Sequence, residues 1–554
     1  MGVMVLDQTT RDAYMRLRPL RERKDLKLRK LKMLKDTFTG FDDQEHPLNI
    51  RYYQVQGILH LVTMLRFVLG DDCGLGKTLM AISGLCYLWE KDPNRKVIVV
   101  TNKSPVGQWC NEFAKFCQSG VITVIRNDGK PAERLQAYRE WERSTGPTVM
   151  VMGYATCRVD FSHIQEWKDY IVVFDEAQAF KNPKTQIHQV CKHMSAQAAR
   201  CWCLTATLIR NNLSEGYGIY TVMLAGTGIQ LFPGSLTAFL HEYYVMRLQK
   251  VGKKGRQIPL PVYLKKGSVE KFRLLIDPFY LGRPKHDVAK ELPPLTIRVE
   301  KVGLTAAQTT KYNEALAGLL EIDATGEVKE TTVLTALIYC QEIVDHPDLI
   351  DCEGDSKKLE RLLDILTAGA FADENVLVYS RFEKMATVLA RALTKAKVPY
   401  TRITGKEIKK VTYKGKKVSE RDRAMGKFND PEDETRVCLI TDAGSESINL
   451  QSAKLIVFYD TPWSGGNYIQ TVGRMIRIGS LHDRVYAMHL VAEGTIDEKV
   501  LGVLKRKMKL IEAVMGKRIK GDDDSDIEID SRNDITDLFR MMADDARKKL
   551  KKAS

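Results

Sequence analysis

Residues 71–78 read DDCGLGKT, and residues 171–178 read IVVFDEAQ. In the first stretch glycines flank a leucine, and Lys77 and Thr78 follow. A loop of this kind bares its backbone N–H groups, and a lysine at its end neutralises phosphate oxygens. The spacing therefore predicts that the amides of Gly74, Leu75, Gly76, Lys77 and Thr78 face the phosphates of ATP. Lys77 would neutralise the β and γ phosphates, and Thr78 would hold Mg²⁺. The longer phosphate-loop template wants glycine at 71, where this chain has Asp71. In the second stretch four apolar residues end at two adjacent carboxylates. Asp175 is expected to bind the same Mg²⁺, and Glu176 to orient or deprotonate the attacking water.

Hydrolysis also needs positive charge at the γ phosphate. The segment QTVGRMIRIGS offers Arg474 and Arg477, three apart and so expected on one helix face. Arginines that complete such a site raise the rate by about 10³–10⁵. If these two do so, ATP lies between two lobes and its hydrolysis moves them. The plainer reading is a pair of surface charges.

Elements must place these groups. LRFVLG precedes the glycine loop and LMAISGLCYLWE follows it, as strand and helix. KVIVVT, TVMVMG, IVVFD and CWCLTAT are unbroken apolar runs, as expected of strands buried on both faces, with helical stretches such as 131–142 between them. This is the pattern of a doubly wound parallel sheet. Residues 211–345 read as helices and loops with basic turns. A second strand series follows: NVLVYS (375–380), RVCLIT (436–441), LIVFYD (455–460) and VYAMHLV (485–491). The fold class is thus α/β, with two parallel-sheet lobes in tandem and helical insertions.

The 554 residues are 44% hydrophobic and 28% charged, a globular composition without an apolar run long enough to span a membrane. The eleven cysteines sit mostly in apolar runs and form no C-x-x-C pair, so neither disulfides nor zinc are expected, and the compartment reads as a reducing interior. A net charge of +15 points to an anionic polymer, most often nucleic acid, against the alternative of plain solubility charge. RLRPLRERKDLKLRKLKMLK reads as a basic helix that lies on phosphates, acts as a nuclear signal or covers the first domain. Lysines recur at 406–417, around Tyr413, in what looks like a hairpin tip.

In order along the chain, these stretches resemble the motifs of the Swi/Snf-type DNA translocases of helicase superfamily two. IRYYQVQGILHL resembles that family's adenine-reading segment, with Gln54 as the contact. KVIVVTNKSPVGQWCNEFAKF, DEAQAFKN and LTATLIRNNLSE follow, with Gln178 where the family often has His. FYLGRPKHDVAKELPP, LIYCQEIVDHPDLI, SKKLERLLDIL, NVLVYSRFEKM, TDAGSESINLQ and YDTPWSGGNYIQTVGRMIRIGS complete the set. Cys73, Ala206, Leu208 and Ser447 depart from the usual residues, and Gly70 stands where Ala is usual.

The resemblance spans about residues 48–505 and implies two RecA-like lobes that use ATP and Mg²⁺. It implies nucleotide contacts at Gln178 and Gln470, and phosphate-backbone contacts at Lys103, Asn182, Arg381 and Thr441. Lys409, Lys410, Lys416 and Lys417 are further candidates for the backbone from their charge. The expected division is a basic extension (1–45), lobe 1 (46–212), helical insertions (213–350), lobe 2 (351–496), a bracing helix (497–515) and an acidic then basic tail (516–554). The expected activity is a cytoplasmic, monomeric, nucleic-acid-stimulated ATPase that moves on duplex or branched DNA. A strand-separating helicase, an ATP-gated scaffold without turnover and the motor part of a nuclease are the competing readings.

Overall fold

The computed structural model describes residues 50–117, 120–251, 256–289, 292–324, 330–405, 410–442, 449–476, 480, 482–515 and 534–553. The expected basic extension, Lys409 and Arg477 lie outside the described residues. The chain divides into two units. The first comprises residues 1–244, 264–290 and 510–526, and the second 245–263, 291–509 and 527–554.

The first unit carries a parallel sheet. Its strands are β1 (Arg66–Leu69), β2 (Val97–Thr101), β3 (Thr123–Asn127), β4 (Thr148–Gly153), β5 (Ile171–Asp175) and β6 (Arg200–Leu204). Valine and isoleucine dominate β2 and β5, and β-branched side chains suit a pleated, packed surface. β2 and β4 are buried along their whole length, as a sheet covered on both faces requires. Strands β7 (Tyr244–Val251) and β8 (Arg256–Leu264), which fall almost wholly in the second unit, form a separate two-stranded sheet. β9 (Tyr280–Leu281) then returns to the main sheet, whose order is β3-β4-β2-β5-β6-β1-β9. The phosphate loop leaves the end of β1, and Asp175 ends β5, with only β6 between them. Open α/β sheets bind ligands at these carboxyl ends.

The second unit has its own parallel sheet, in the order β10-β17-β16-β11-β15-β12. These strands are β10 (Leu295–Val302), β11 (Val376–Tyr379), β12 (Tyr400–Ile403), β15 (Val437–Ile440), β16 (Leu455–Phe458) and β17 (Val485–Ala492). Between them β13 (Lys410–Tyr413) and β14 (Lys416–Ser419) pair antiparallel as a hairpin. One apolar layer includes Leu377, Phe428, Ile456 and Phe458, and the other Leu362, Val378, Leu389 and Leu439. Both sheets together give the α/β class with two parallel-sheet lobes.

Three elements differ from the sequence expectation. The stretch 211–345 contains strands as well as helices. β10 pairs with β17 along eight residues, yet it is an edge strand whose apolar Leu295, Ile297 and Val299 alternate with Thr296, Arg298 and Glu300. Alternation, rather than an unbroken run, is what an edge strand shows. Residues 534–553, in the expected tail, form a helix, Asp534–Ala553. It buries Leu538, Phe539, Met542 and Ala546 with Tyr312, Leu316, Leu337 and Val500. The spacing of these residues marks one helix face, hidden among aspartates, lysines and arginines.

Candidate nucleotide site

The loop after β1 is built for tight backbone. Gly74 and Gly76 have φ of 86° and 81°, a left-handed conformation that glycine adopts without Cβ strain. A Cβ on Gly76 would also lie 2.6 Å from Nε2 of Gln54. Gln54 itself is buried in the helix Tyr52–Thr63; its Nε2 donates to the Leu75 carbonyl at 3.2 Å, and its Oε1 accepts from the Arg51 amide at 3.0 Å. The helix Lys77–Lys91 starts at Gly76, so Lys77 and Thr78 occupy its first turn, where the helix dipole favours anions. Lys77 Nζ donates to the carbonyls of Asp71 and Asp72 at 2.7 and 3.2 Å. Gly70 has its own reason: a Cβ there would meet Cε2 of Tyr280 at 2.3 Å, so the β9 tyrosine occupies the space an alanine methyl would need.

Asp175 is held from several sides. Oδ2 accepts from Trp109 Nε1 at 2.8 Å and from the Thr101 hydroxyl at 3.0 Å, and Oδ1 accepts from the Glu176 amide at 3.1 Å. Its carbonyl accepts from the Tyr154 hydroxyl at 2.8 Å. Burial and the Glu176 carboxylate push the Asp175 carboxyl up to about 6, against the opposing pull of Trp109, Thr101 and Lys77. Hard oxygen donors, the Asp175 carboxylate and the Thr78 hydroxyl, are the type Mg²⁺ takes. Trp109 and Thr101 were not among the expected site residues. Trp109 stood in the W-x-x-E-F stretch, but nothing in its spacing tells that the indole N–H turns toward β5.

Glu176 adopts φ 52° and ψ 53°, left-handed for a residue with a Cβ. Such backbone costs about 1–3 kcal/mol and persists where the surroundings enforce it. The consequence is a turn straight after β5. Gln178 then links two parts of the site. Its Nε2 donates to Glu176 Oε2, and its Oε1 accepts from the buried Thr205 hydroxyl at 2.8 Å, just beyond β6. A glutamine spans donor and acceptor at once, which explains how it fills a position where histidine is usual.

Arg283 is the largest omission of the sequence reading. It lies within FYLGRPKHDVAKELPP, where the sequence alone assigns it no role. Its Nε donates to Asp71 Oδ1 at 2.9 Å, its Nη2 pairs with Asp71 Oδ2, and its Nη1 donates to the Tyr53 carbonyl at 2.6 Å. Asp71 is fully buried. The aspartate in place of the template glycine is therefore an anchor for this arginine.

Of the expected nucleic-acid contacts in the first unit, Lys103 is exposed after β2, and Asn182 Oδ1 accepts from the Lys184 amide at 3.0 Å. In the second unit, the Arg381 guanidinium lies 4.3 Å from the centroid of Trp463, and its amide donates to Asp460 at 2.8 Å. Thr441 is buried. Lys417 is exposed on β14, whereas Lys410 and Lys416 are placed only by their strands. Gln470 lies buried in the helix Gly465–Val472. The expectation of a shared helix face for Arg474 and Arg477 is corrected: the helix ends at Val472, capped by Gly473, and Arg474 sits in the turn beyond it. Arg474 is 7% exposed, and its Nε is buried with no hydrogen-bond partner among the described residues.

The sequence matches the SNF2-related domain over residues 53–349, more than half the chain, and the helicase conserved C-terminal domain over residues 357–479. The chain belongs to the SNF2-related family.

Relatives match the chain at about a quarter of the aligned residues. Chromodomain-helicase-DNA-binding protein 1-like of Danio rerio is 26% identical, over 84% of this chain and 44% of that protein. The ISWI chromatin-remodeling complex ATPase CHR11 of Arabidopsis thaliana is 27% identical, over 83% and 42%. YwqA of Bacillus subtilis, named a candidate ATP-dependent helicase/translocase, is 26% identical, over 84% and 49%. The chain thus spans less than half the length of these relatives. Among solved structures, the Sulfolobus solfataricus SWI2/SNF2 ATPase core in complex with dsDNA has 22% identity and a TM-score of 0.39, covering 88% of this chain and 96% of that one. Among the described residues no helix is long and apolar enough to cross a membrane.

Proposed function

We propose that the chain is an ATPase of the translocase type, stimulated by duplex nucleic acid. The arrangement of Asp175, Glu176, Gln178 and Thr205 carries this reading. A carboxylate fixed at the end of a buried strand, a second carboxylate on the turn that follows, and a glutamine that joins the second to the residue beyond the next strand suit water-activated phosphoryl transfer. Lys77 would hold the β and γ phosphates, and Gln54 the adenine. Asp175 and Thr78 would hold Mg²⁺, which supplies neutralisation of phosphate charge. Glu176 would orient the attacking water and take its proton. Gln178 would keep that carboxylate aligned. Arg474 and Arg477 would supply the positive charge that the γ phosphate needs. Glu176→Gln tests the site directly: it should bind ATP and hydrolyse it at least about a hundredfold more slowly. Wild-type turnover by this variant would remove Glu176 from its role.

The names of the relatives, a helicase-type DNA-binding protein and chromatin-remodeling ATPases among them, support DNA as the track. So does the net charge of +15. Movement on duplex DNA is favoured over strand separation by Tyr413. A base-parting wedge presents an aromatic ring at its tip, whereas this ring packs on Gly426, where an added Cβ would lie 2.8 Å from it. Lys414, next to it, pairs with Asp430 at 2.7 Å. Remodelling of protein–DNA complexes or branched DNA would follow from such movement. Triplex displacement without strand displacement is the expected outcome, and efficient unwinding of a forked duplex the contrary one.

A further inference from the structure

The residues around Arg283 join two segments that the nucleotide reading assigns to different parts of ATP. Asp71 and Asp72 open the phosphate loop. Tyr53 and Gln54 begin the helix expected to read adenine. β9 and the residues after it run beside the loop: Gly70 donates to the Leu281 carbonyl at 2.6 Å, Asp72 to the Arg283 carbonyl at 3.1 Å, and the Arg283 amide to Asp71 Oδ1 at 3.0 Å. The Lys285 amide reaches Asp72 Oδ2 at 2.9 Å. Backbone contacts alone would fix β9 to the loop. The Arg283 side chain goes further, to the other segment. While Nε and Nη2 engage Asp71, Nη1 donates to the Tyr53 carbonyl at 2.6 Å and lies 3.3 Å from Gln56 Oε1. Its guanidinium carbon is 5.4 Å from the centroid of the Tyr53 ring. The arginine side chain is 11% exposed and that of Asp71 not at all.

We infer that Arg283 is a positioning residue for base selectivity: it fixes the Gln54 end of the helix Tyr52–Thr63 against the phosphate loop, and so sets the preference for adenine nucleotides. The inference rests on the proposed nucleotide site. The guanidinium fork is what the task needs, because one planar group must bind a carboxylate with one edge and a backbone carbonyl with another. Lysine has the charge but not the two edges. Gln54 is tied to the loop by one hydrogen bond of its own, through Leu75. Without Arg283 the residue next to Gln54 loses its tether, while Lys77 keeps its bonds to the Asp71 and Asp72 carbonyls and Thr78 its place in the first turn of the following helix.

The test uses the full chain and compares Arg283→Lys, Asp71→Asn and Gln54→Ala with the wild type. Each is titrated with ATP, GTP and pyrophosphate in competition with a fluorescent ATP analogue, and its thermal unfolding is recorded. Arg283→Lys should lower the ATP-over-GTP preference about tenfold, the order expected from losing a charge-assisted hydrogen bond, with pyrophosphate affinity unchanged. Asp71→Asn should move the same way, and it remains informative if the lysine variant does not fold. Selectivity kept in both variants while Gln54→Ala loses it would overturn the inference and leave the site reading intact. Selectivity kept in all three would instead overturn adenine reading by Gln54. Equal loss of ATP, GTP and pyrophosphate would make Arg283 a support of the phosphate loop alone and likewise overturn the inference.

Discussion

The indole N–H of Trp109 donates to Oδ2 of Asp175 at 2.8 Å, on the same oxygen that accepts from Thr101 at 3.0 Å. Two neutral donors, both from buried residues, fix the carboxylate's rotation at the end of β5. A carboxylate free to rotate would have to be ordered each time a cation binds. Trp109→Phe keeps most of the ring volume and deletes the donor. The expected result is a rise of roughly tenfold in the Mg²⁺ concentration that half-saturates ATP turnover, with the maximal rate much less affected. Turnover measured against Mg²⁺ at fixed ATP checks this, and an unchanged midpoint would refute it.

Gln178 gives a second prediction. Its amide connects Glu176 with Thr205. Gln178→Ala should lower kcat by about ten- to a hundredfold, the range of one misaligned general base, and leave ATP binding intact. Thr205→Val, which removes the hydroxyl at similar volume, should give a smaller loss in the same direction. Steady-state kinetics on both variants would show it.

The parts of this site that were legible in the sequence are the local ones. The loop around Lys77 and the strand ending at Asp175 are each encoded within eight residues. The partners of those residues were not legible. Trp109, Thr205 and Arg283 come from segments 66, 27 and 212 residues away from Asp175, Gln178 and Asp71, and only packing of the sheet brings them in. The left-handed backbone of Glu176 carries no sequence mark, because the residue is not glycine. The parallel sheets were read from their buried central strands. Their four edge strands, β3, β9, β10 and β12, were missed: β9 is two residues long, β10 alternates with charge, and β3 and β12 are only partly buried.

The second unit supplies a pH dependence. His489 is buried between Phe458 and Tyr468, with ring centroids 4.8 and 5.5 Å away. Burial, with a smaller push from Lys505, brings the imidazole down to about 4. Unfolded histidine titrates near 6.5, so between these values the unfolded chain binds more protons than the folded one. Stability is therefore full above about 6.5 and declines as pH falls toward 4, by roughly 2–3 kcal/mol from this residue. Thermal unfolding of the wild type and of His489→Phe between pH 4 and 7 tests the slope, which should flatten in the variant.

A buried ion triad gives a fourth prediction. Lys358 Nζ lies 2.7 Å from Asp345 Oδ1 and 2.9 Å from Asp497 Oδ2, and none of the three side chains is more than 1% exposed. Burial alone would lower the lysine, but the two carboxylates outweigh it and hold the ammonium above its usual range. The triad ties the helices Glu330–Asp345, Lys357–Thr367 and Ile496–Val514 to one another. Lys358→Met leaves two acids buried without a cation, which costs about 3–5 kcal/mol. A calorimetric scan should show a lowered unfolding temperature, and an unchanged one would mean the triad adds nothing.

The central claim is that Lys77 and its neighbours form a hydrolytic site served by a nucleic-acid track. The most direct measurement is ATP turnover by the full chain with no polymer, single-stranded DNA, duplex DNA, forked DNA and RNA, alongside Lys77→Ala. Duplex DNA should raise turnover by at least about tenfold over the polymer-free rate, and Lys77→Ala should abolish turnover under every condition while remaining folded. No turnover with any polymer, or turnover that survives Lys77→Ala, would contradict the account.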